Sequence, residues 1–201
     1  TMALKRHTSQ NIVWGGAAGC MPVFIGWAAV TNSLSWAAVA FFFVIFFWTP
    51  PHFWALALYR SEEYDLVGVP MMPGVKGAER TLVEMKVYAT LLVVLALAAP
   101  IAIGGMDRYD TIFFVFGGTA VVVNLWYART VFIIDPNEPR TEAGRIPSAA
   151  RSFFVSMIYL ALMFAIVVTA SAGLEGAILG AILAATVIIR DETNARKKAA
   201  N

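Results

Sequence analysis

The residues with the clearest chemical potential stand between Trp48 and Pro73, in the run WTPPHFWALALYRSEEYDLVGVPMMP. His52 follows two prolines inside an apolar stretch that ends on Tyr59 and Arg60, just before Glu62, Glu63, Tyr64 and Asp65. Continued as a helix, the stretch puts His52, Leu56, Tyr59 and Glu63 on one face. At about 1.5 Å per residue, His52 then lies roughly 12 Å inside the Arg60 end. An imidazole within the membrane, in line with a phenol and a carboxylate at the rim, is a candidate site. Glu62, Glu63 and Asp65 beside Arg60, Lys76 and Arg80 suit an anion held partly through Mg²⁺, which takes one or two carboxylates and fills its shell with water and phosphate oxygens. The cationic side chains add direct contacts to the anion. No P-loop and no dinucleotide fingerprint is present, which argues against a nucleotide. His7 and His52 are the only histidines, and Cys20 is remote from both, so zinc is poorly supported. A diphosphate with a lipid tail fits both halves of the pattern, its head at the rim and its chain between helices. The bland alternatives are a solvated acidic connector at 60–81 and a His52 that hydrogen-bonds a carbonyl freed by Pro50 and Pro51. Against the first stands GVPMMPG, an apolar, turn-rich run that a simple connector does not need.

The elements that hold these residues are membrane helices. The chain has 201 residues, 59% hydrophobic and only 14% charged, which gives it enough apolar surface to face lipid as well as a core. Six apolar segments stand out, at about 11–30, 35–59, 82–103, 111–134, 152–171 and 173–189. The first five approach the ~20 residues a span requires, and the last is short and rich in Ala and Gly. Runs that alternate with a period of two are few, so the expected class is an all-α polytopic helical bundle. An inside N-terminus assigns every Lys and Arg except Arg108 to the cytoplasmic side or the adjoining helix ends, which favours an even number of spans and puts the chemistry on that face. Gly15 and Gly19 make a GxxxG spacing in the first segment, with Gly16, Ala18 and Gly26 adding small surfaces for close packing. Pro22 is expected to kink that helix. Asn124 reads as an interhelical hydrogen-bond residue and Arg129 as a snorkelling cation. Cys20 reads as a small packing residue. DPNEPRTEAGRIPSAAR looks like an ordinary polar connection. The single membrane domain 1–201 ends in a basic cytoplasmic tail, 190–201, expected to fray near anionic lipid.

Three ordered motifs, LKR-T-QNI from Leu4, WTPPHFWALAL from Trp48 and EEY-GVPM-P from Glu62, carry a specific resemblance. Over roughly residues 1–171 the chain resembles the haem branch of the UbiA-type intramembrane prenyltransferases, the protohaem IX farnesyltransferases. The resemblance implies a helical bundle around a central cavity, with farnesyl diphosphate and haem B as substrates, Mg²⁺ with the diphosphate, and haem O as product. It implies catalytic roles for Glu63, Tyr64, Lys5 and Arg6. His52, Tyr59, Arg60, Asn11, Lys76 and Arg80 become substrate-binding residues, and Glu63, Glu62 and Asp65 metal ligands. Glu63 occupies the place of the aspartate in the family's second acidic motif. His52 falls on TPPHF and is expected either to orient the haem, through contact with iron, or to satisfy a freed carbonyl. Haem A synthase or terminal oxidase assembly factors are the implied partners, and a bacterial inner membrane or a mitochondrial inner membrane the implied location. The first acidic motif and the helices before LKR are absent, so the intact protein is expected to carry further spans before Thr1 and this piece alone to be inactive. The segment 173–189 lies beyond the family's usual ending and reads either as a further span or as a surface helix. The competing readings are a prenyltransferase of the same type with another acceptor and a non-catalytic haem-handling protein or transporter.

Overall fold

The computed structural model describes residue 8 and residues 10–66, 70–104, 111–142 and 144–200, apart from the side chains of Glu62, Asp65, Leu66, 99–104 and 198–200. Every regular element among these residues is a helix: α1 (Asn11–Thr31), α2 (Trp36–Tyr59), α3 (Ser61–Leu66), α4 (Met72–Lys76), α5 (Ala78–Gly104), α6 (Thr111–Phe132), α7 (Pro147–Ala170) and α8 (Leu174–Ala200). Local chemistry sets several of the ends. Asn32 closes α1 in the left-handed conformation, its N–H donating to the Ala28 carbonyl. Ser35 opens α2 by accepting from the Ala38 N–H at 3.3 Å. Proline in the first turn of α7 costs no hydrogen bond, because that donor has no intrahelical partner.

Among the described residues, five helices are long and apolar enough to cross a membrane: α1, α2, α5 over Ala78–Ala98, α6 and α7. The sixth expected segment is the first part of α8 and is not among them. Nor does the basic end fray, since α8 continues as helix to Ala200. Two contacts explain the continuity. Near Arg190, the Arg151 guanidinium reaches Asp191 at 2.9 Å and Glu192 at 2.8 Å, while Arg129 reaches Glu192 at 2.9 Å. Nearer the α7–α8 corner, Ala177 and Ala184 are buried, and a Cβ on Gly176 or Gly180 would run into Thr169. Arg129 is therefore an ion-pairing residue rather than only a snorkelling one.

α2 lies at the centre, packed against α1, α5 and α7, while α6 joins α5, α7 and α8. Trp54, Leu58, Met85, Val123, Tyr127 and Tyr159 form much of the buried core. Within it the Tyr159 hydroxyl donates to Asn124 Oδ1 at 3.0 Å, the interhelical bond expected of Asn124. The connection at 60–81 is more ordered than a loop: it holds α3 and α4, and α5 begins at Ala78. Met71 and Met72 are buried, which accounts for the apolar GVPMMPG run.

The close approach of α1 to α2 is made by Gly16 and not by Gly19. A Cβ on Gly16 would stand 2.9 Å from the Thr49 methyl, whereas one on Gly19 or Gly26 would meet nothing within 4 Å. Thr49 cannot turn aside freely, because its hydroxyl donates to the Ile45 carbonyl at 2.7 Å. Gly16→Ala should therefore cost about 1–3 kcal/mol of overpacking, and Gly19→Ala should be neutral or slightly stabilising, as thermal unfolding in detergent would register. Burial raises the Glu192 carboxyl, but hydrogen bonds and charge from Arg151 and Arg129 outweigh it and hold the group below its ordinary 4.5. A depressed carboxyl contributes stability above its unfolded value and loses it as pH falls through the folded one. Unfolding temperature should accordingly drop below pH 4.5, and Glu192→Gln should flatten that part of the profile.

Candidate functional site

The inner half of α2 runs unbroken through Pro50 and Pro51. Directly after those prolines, His52 is buried with 8% of its surface exposed. Its ring is stacked between Trp48, at 4.3 Å between centroids, and Phe153 of α7, at 4.9 Å. Phe53 meets it edge-on at 5.0 Å. His52 Nδ1 lies 2.5 Å from the Ser156 hydroxyl, which also donates to the Phe153 carbonyl. Trp48 Nε1 donates to the Ser156 carbonyl at 2.9 Å. The expected bond from His52 to a carbonyl freed by the prolines is thus replaced by one to a side chain of α7.

Two turns further along α2, Tyr59 and Arg60 open onto a cavity of about 610 Å³ lined by Leu56, Glu63, Tyr64, Phe153 and Phe154 as well. Glu63 stands between two guanidiniums: Arg60 at 3.2 Å from Oε2 and Arg145 at 3.4 Å from Oε1. Arg145 also donates to the Tyr59 hydroxyl at 2.8 Å, with its guanidinium 5.1 Å from the centre of that ring. Glu63 is half exposed, so water screens both pairs and each contributes little to stability. Among the described residues, two guanidiniums face one carboxylate here, and the rim carries net positive charge. A polyanion can compete for these arginines because breaking exposed pairs costs so little. Beyond the rim the walls are apolar and aromatic.

The structure brings Tyr59, Arg60, Glu63 and Tyr64 together and sets His52 deeper, against the Phe153 ring that the cavity shares. It does not gather the remaining expected residues. Arg80 pairs with Glu84 at 3.2 Å, and Gln10 binds the same carboxylate. Lys76 is exposed at the end of α4. Asn11 is buried and donates to the Thr8 carbonyl at 2.9 Å, a local bond at the start of α1. Lys5 and Arg6 lie outside the described residues, as do the side chains of Glu62 and Asp65. Among the described residues no group of three or more His, Cys, Asp or Glu could hold a metal ion. Among the described side chains at the rim, Glu63 is the carboxylate that can offer an oxygen, which suits Mg²⁺ in type but does not fill its shell.

Sequence reasoning missed Arg145, Phe153 and Ser156. All three come from the connection before α7 or from α7 itself, far from Glu63 and His52 in the chain. The one available signal for Arg145 was its side: the basic pattern puts it on the same face as the acidic group.

A model of the UbiA prenyltransferase family matches residues 1–146. The chain belongs to this family. The UbiA match takes in α1 to α6 and the Arg145 connection, while α7 and α8 follow it. Curated relatives include the "Protoheme IX farnesyltransferase" of Mycobacterium avium (strain 104), 42% identical over 164 residues, covering 82% of this chain and 49% of that protein. The one from Nitrobacter hamburgensis is 44% identical over 166 residues, covering 83% and 50%. The one from Frankia alni is 45% identical over 172 residues, covering 85% and 56%. The chain spans about half the length of the curated relatives it matches. No solved structure matches it.

Because the Glu63 pairs are exposed, Glu63→Gln and Arg145→Gln should each change unfolding free energy by less than about 1 kcal/mol. Arg145→Gln should nevertheless weaken pyrophosphate binding, measured by titration calorimetry, while Glu63→Gln without added metal should not.

Proposed function

We propose that the protein takes part in transfer of a farnesyl group from farnesyl diphosphate to a vinyl group of protohaem IX, giving haem O. The observation that carries this reading is the 42–45% identity to proteins named protoheme IX farnesyltransferase over more than four-fifths of the chain. The geometry supports it: the Arg60 and Arg145 guanidiniums stand at the rim of an apolar, aromatic cavity near a buried histidine. On this reading the diphosphate binds Arg60 and Arg145, whose charge stabilises the leaving group as the allylic C–O bond breaks and diphosphate departs with the electron pair. Leu56, Phe153 and Phe154 keep water from the allylic carbon while the vinyl π electrons form the new C–C bond. Addition of water to the resulting cation, with loss of a proton, gives the hydroxyfarnesyl side chain. Mg²⁺ bound with the diphosphate would supply further charge neutralisation, and Glu63 is the described residue able to contribute a ligand. Lys5, Arg6, Lys76 and Arg80 remain proposed contributors from the family's motifs, and Glu62 and Asp65 proposed metal ligands.

On the same reading, residues 1–201 are a single membrane domain with a basic cytoplasmic end at 190–201. The bacterial sources of the relatives support a bacterial inner membrane, and haem A synthase or oxidase assembly factors would receive the product. The test is haem O formation from haem B and farnesyl diphosphate with Mg²⁺, using the intact gene product in its membrane. Turnover should fall roughly 100-fold in Arg145→Ala, the scale for losing one preorganised donor to a developing anion, and should fall in Glu63→Ala. A folded intact protein that releases no diphosphate in the presence of haem B, or that farnesylates 4-hydroxybenzoate instead, would overturn the assignment.

A further inference from the structure

A second cavity, of about 990 Å³, adjoins the one at Glu63, and the Tyr59 and Phe154 rings line both. Arg145 belongs to its wall as well, so the guanidinium that holds Tyr59 and Glu63 stands between the two spaces. A ligand in one is a direct neighbour of a ligand in the other. The volume suits a cofactor-sized molecule, for which ~300–1,000 Å³ is usual.

The walls of this second cavity have two characters. Ile133, Phe154 and Ile158 line it with exposed apolar surface, while Arg151 and Asn194 line it with polar donors. Arg151 spends one nitrogen, Nη2, on both Asp191 and Glu192, at 2.9 and 2.8 Å. Its Nε is fully occluded and has no partner. Nη1 also lacks a partner among the described residues but is not occluded, so its two N–H donors stay open. The Asn194 amide likewise makes no hydrogen bond among the described residues. The carboxylates in the same wall are already engaged: Glu138 accepts from the Ser148 N–H and hydroxyl, and Asp191 accepts from Arg151. Open guanidinium and amide donors beside broad apolar surface suit a carboxylate carried on an apolar body.

The acceptor in the protohaem reading is such a molecule, a flat apolar macrocycle with two propionate carboxylates on one edge and vinyl groups on the opposite half. Transfer requires two substrates side by side, and the farnesyl diphosphate already accounts for the cavity at Glu63. We propose that the adjoining cavity is the porphyrin site, with Arg151 Nη1 and Asn194 binding a propionate and Phe154 and Ile158 lying against the macrocycle. Propionates anchored beside α8 turn the vinyl-bearing half toward Tyr59 and Phe154, the wall shared with the allylic substrate. This assignment rests on the protohaem reading above and adds the place of the acceptor.

The test uses the intact gene product in detergent with farnesyl diphosphate and Mg²⁺, and compares haem B with its dimethyl ester, in which both carboxylates are capped. The expected result is a KM roughly tenfold higher for the ester, the scale of losing one charge-assisted hydrogen bond. Arg151→Gln should raise KM for haem B by a similar factor, leave KM for farnesyl diphosphate unchanged and abolish the preference for haem B over the ester. A purely structural role of Arg151 in holding α8 would not remove that preference. Ile158→Trp fills the cavity without removing a charge, and should raise KM for both porphyrins but not for farnesyl diphosphate; it decides the matter if Arg151→Gln does not fold. Equal use of haem B and its ester by the unaltered protein overturns propionate binding and leaves farnesyl transfer intact. Unchanged porphyrin KM values in Ile158→Trp overturn the site itself, and anionic phospholipid that native mass spectrometry finds bound to the unaltered protein and lost from that variant would then make the cavity a lipid site. No haem O from either porphyrin with the unaltered protein overturns the protohaem reading and this assignment together.

Discussion

The hold of α7 on the inner half of α2 is the contact on which the rest of the site depends. Pro50 and Pro51 take two N–H donors out of a membrane-crossing helix, so its backbone ladder is weakest where the chemistry sits. α7 reinforces that level from outside the ladder. The Ser156 carbonyl takes the Trp48 indole N–H, the Ser156 hydroxyl takes His52, and Phe153 stacks on the imidazole. A single turn of α7 thereby fixes the rotation of α2 about its own axis. That rotation decides whether Leu56 and Tyr59 face the cavity or lipid.

The rim is built on a different principle. Its contacts are exposed ion pairs, weak in water and readily exchanged, arranged around a tyrosine that gives Arg145 both a hydrogen bond and an aromatic face. Rigid apolar packing at the depth of His52 and labile charge at the level of Glu63 suit a ligand with a bulky apolar part and a polyanionic part. The deeper contacts define a shape, while the outer ones can let go of each other to take hold of phosphate oxygens.

Much of this was legible in the sequence because the membrane imposes strong patterning. Helices α1, α2, α5, α6 and α7 follow from runs of about twenty apolar residues, and the grouping of Tyr59, Arg60, Glu63 and Tyr64 follows from their nearness in the chain. What could not be read depends on distance in sequence. Ser156 reads as one small residue within an apolar helix, and only the crossing of α7 over α2 reveals that it faces His52. Arg145 looked like a loop cation because its partners stand some eighty positions earlier. The GxxxG spacing misled for a related reason: it identifies a helix able to pack closely, but the crossing geometry chose Gly16, one position off the motif. Arg80 was drawn into the site by proximity to the acidic run, whereas helical spacing gives it to Glu84 at i+4.

The attachment of α8 bears on how the protein can be shortened. Arg129 and Arg151 sit on α6 and α7, yet their carboxylate partners are both on α8, as is the glycine and alanine face that covers the end of α7. Trimming the chain after α7 would leave two arginines without counter-charges at the membrane edge and uncover the helix that carries Ser156. α8 is therefore a clamp on the helix behind the histidine, and a shortened protein would lose alignment inside the bundle before it lost any residue of the site.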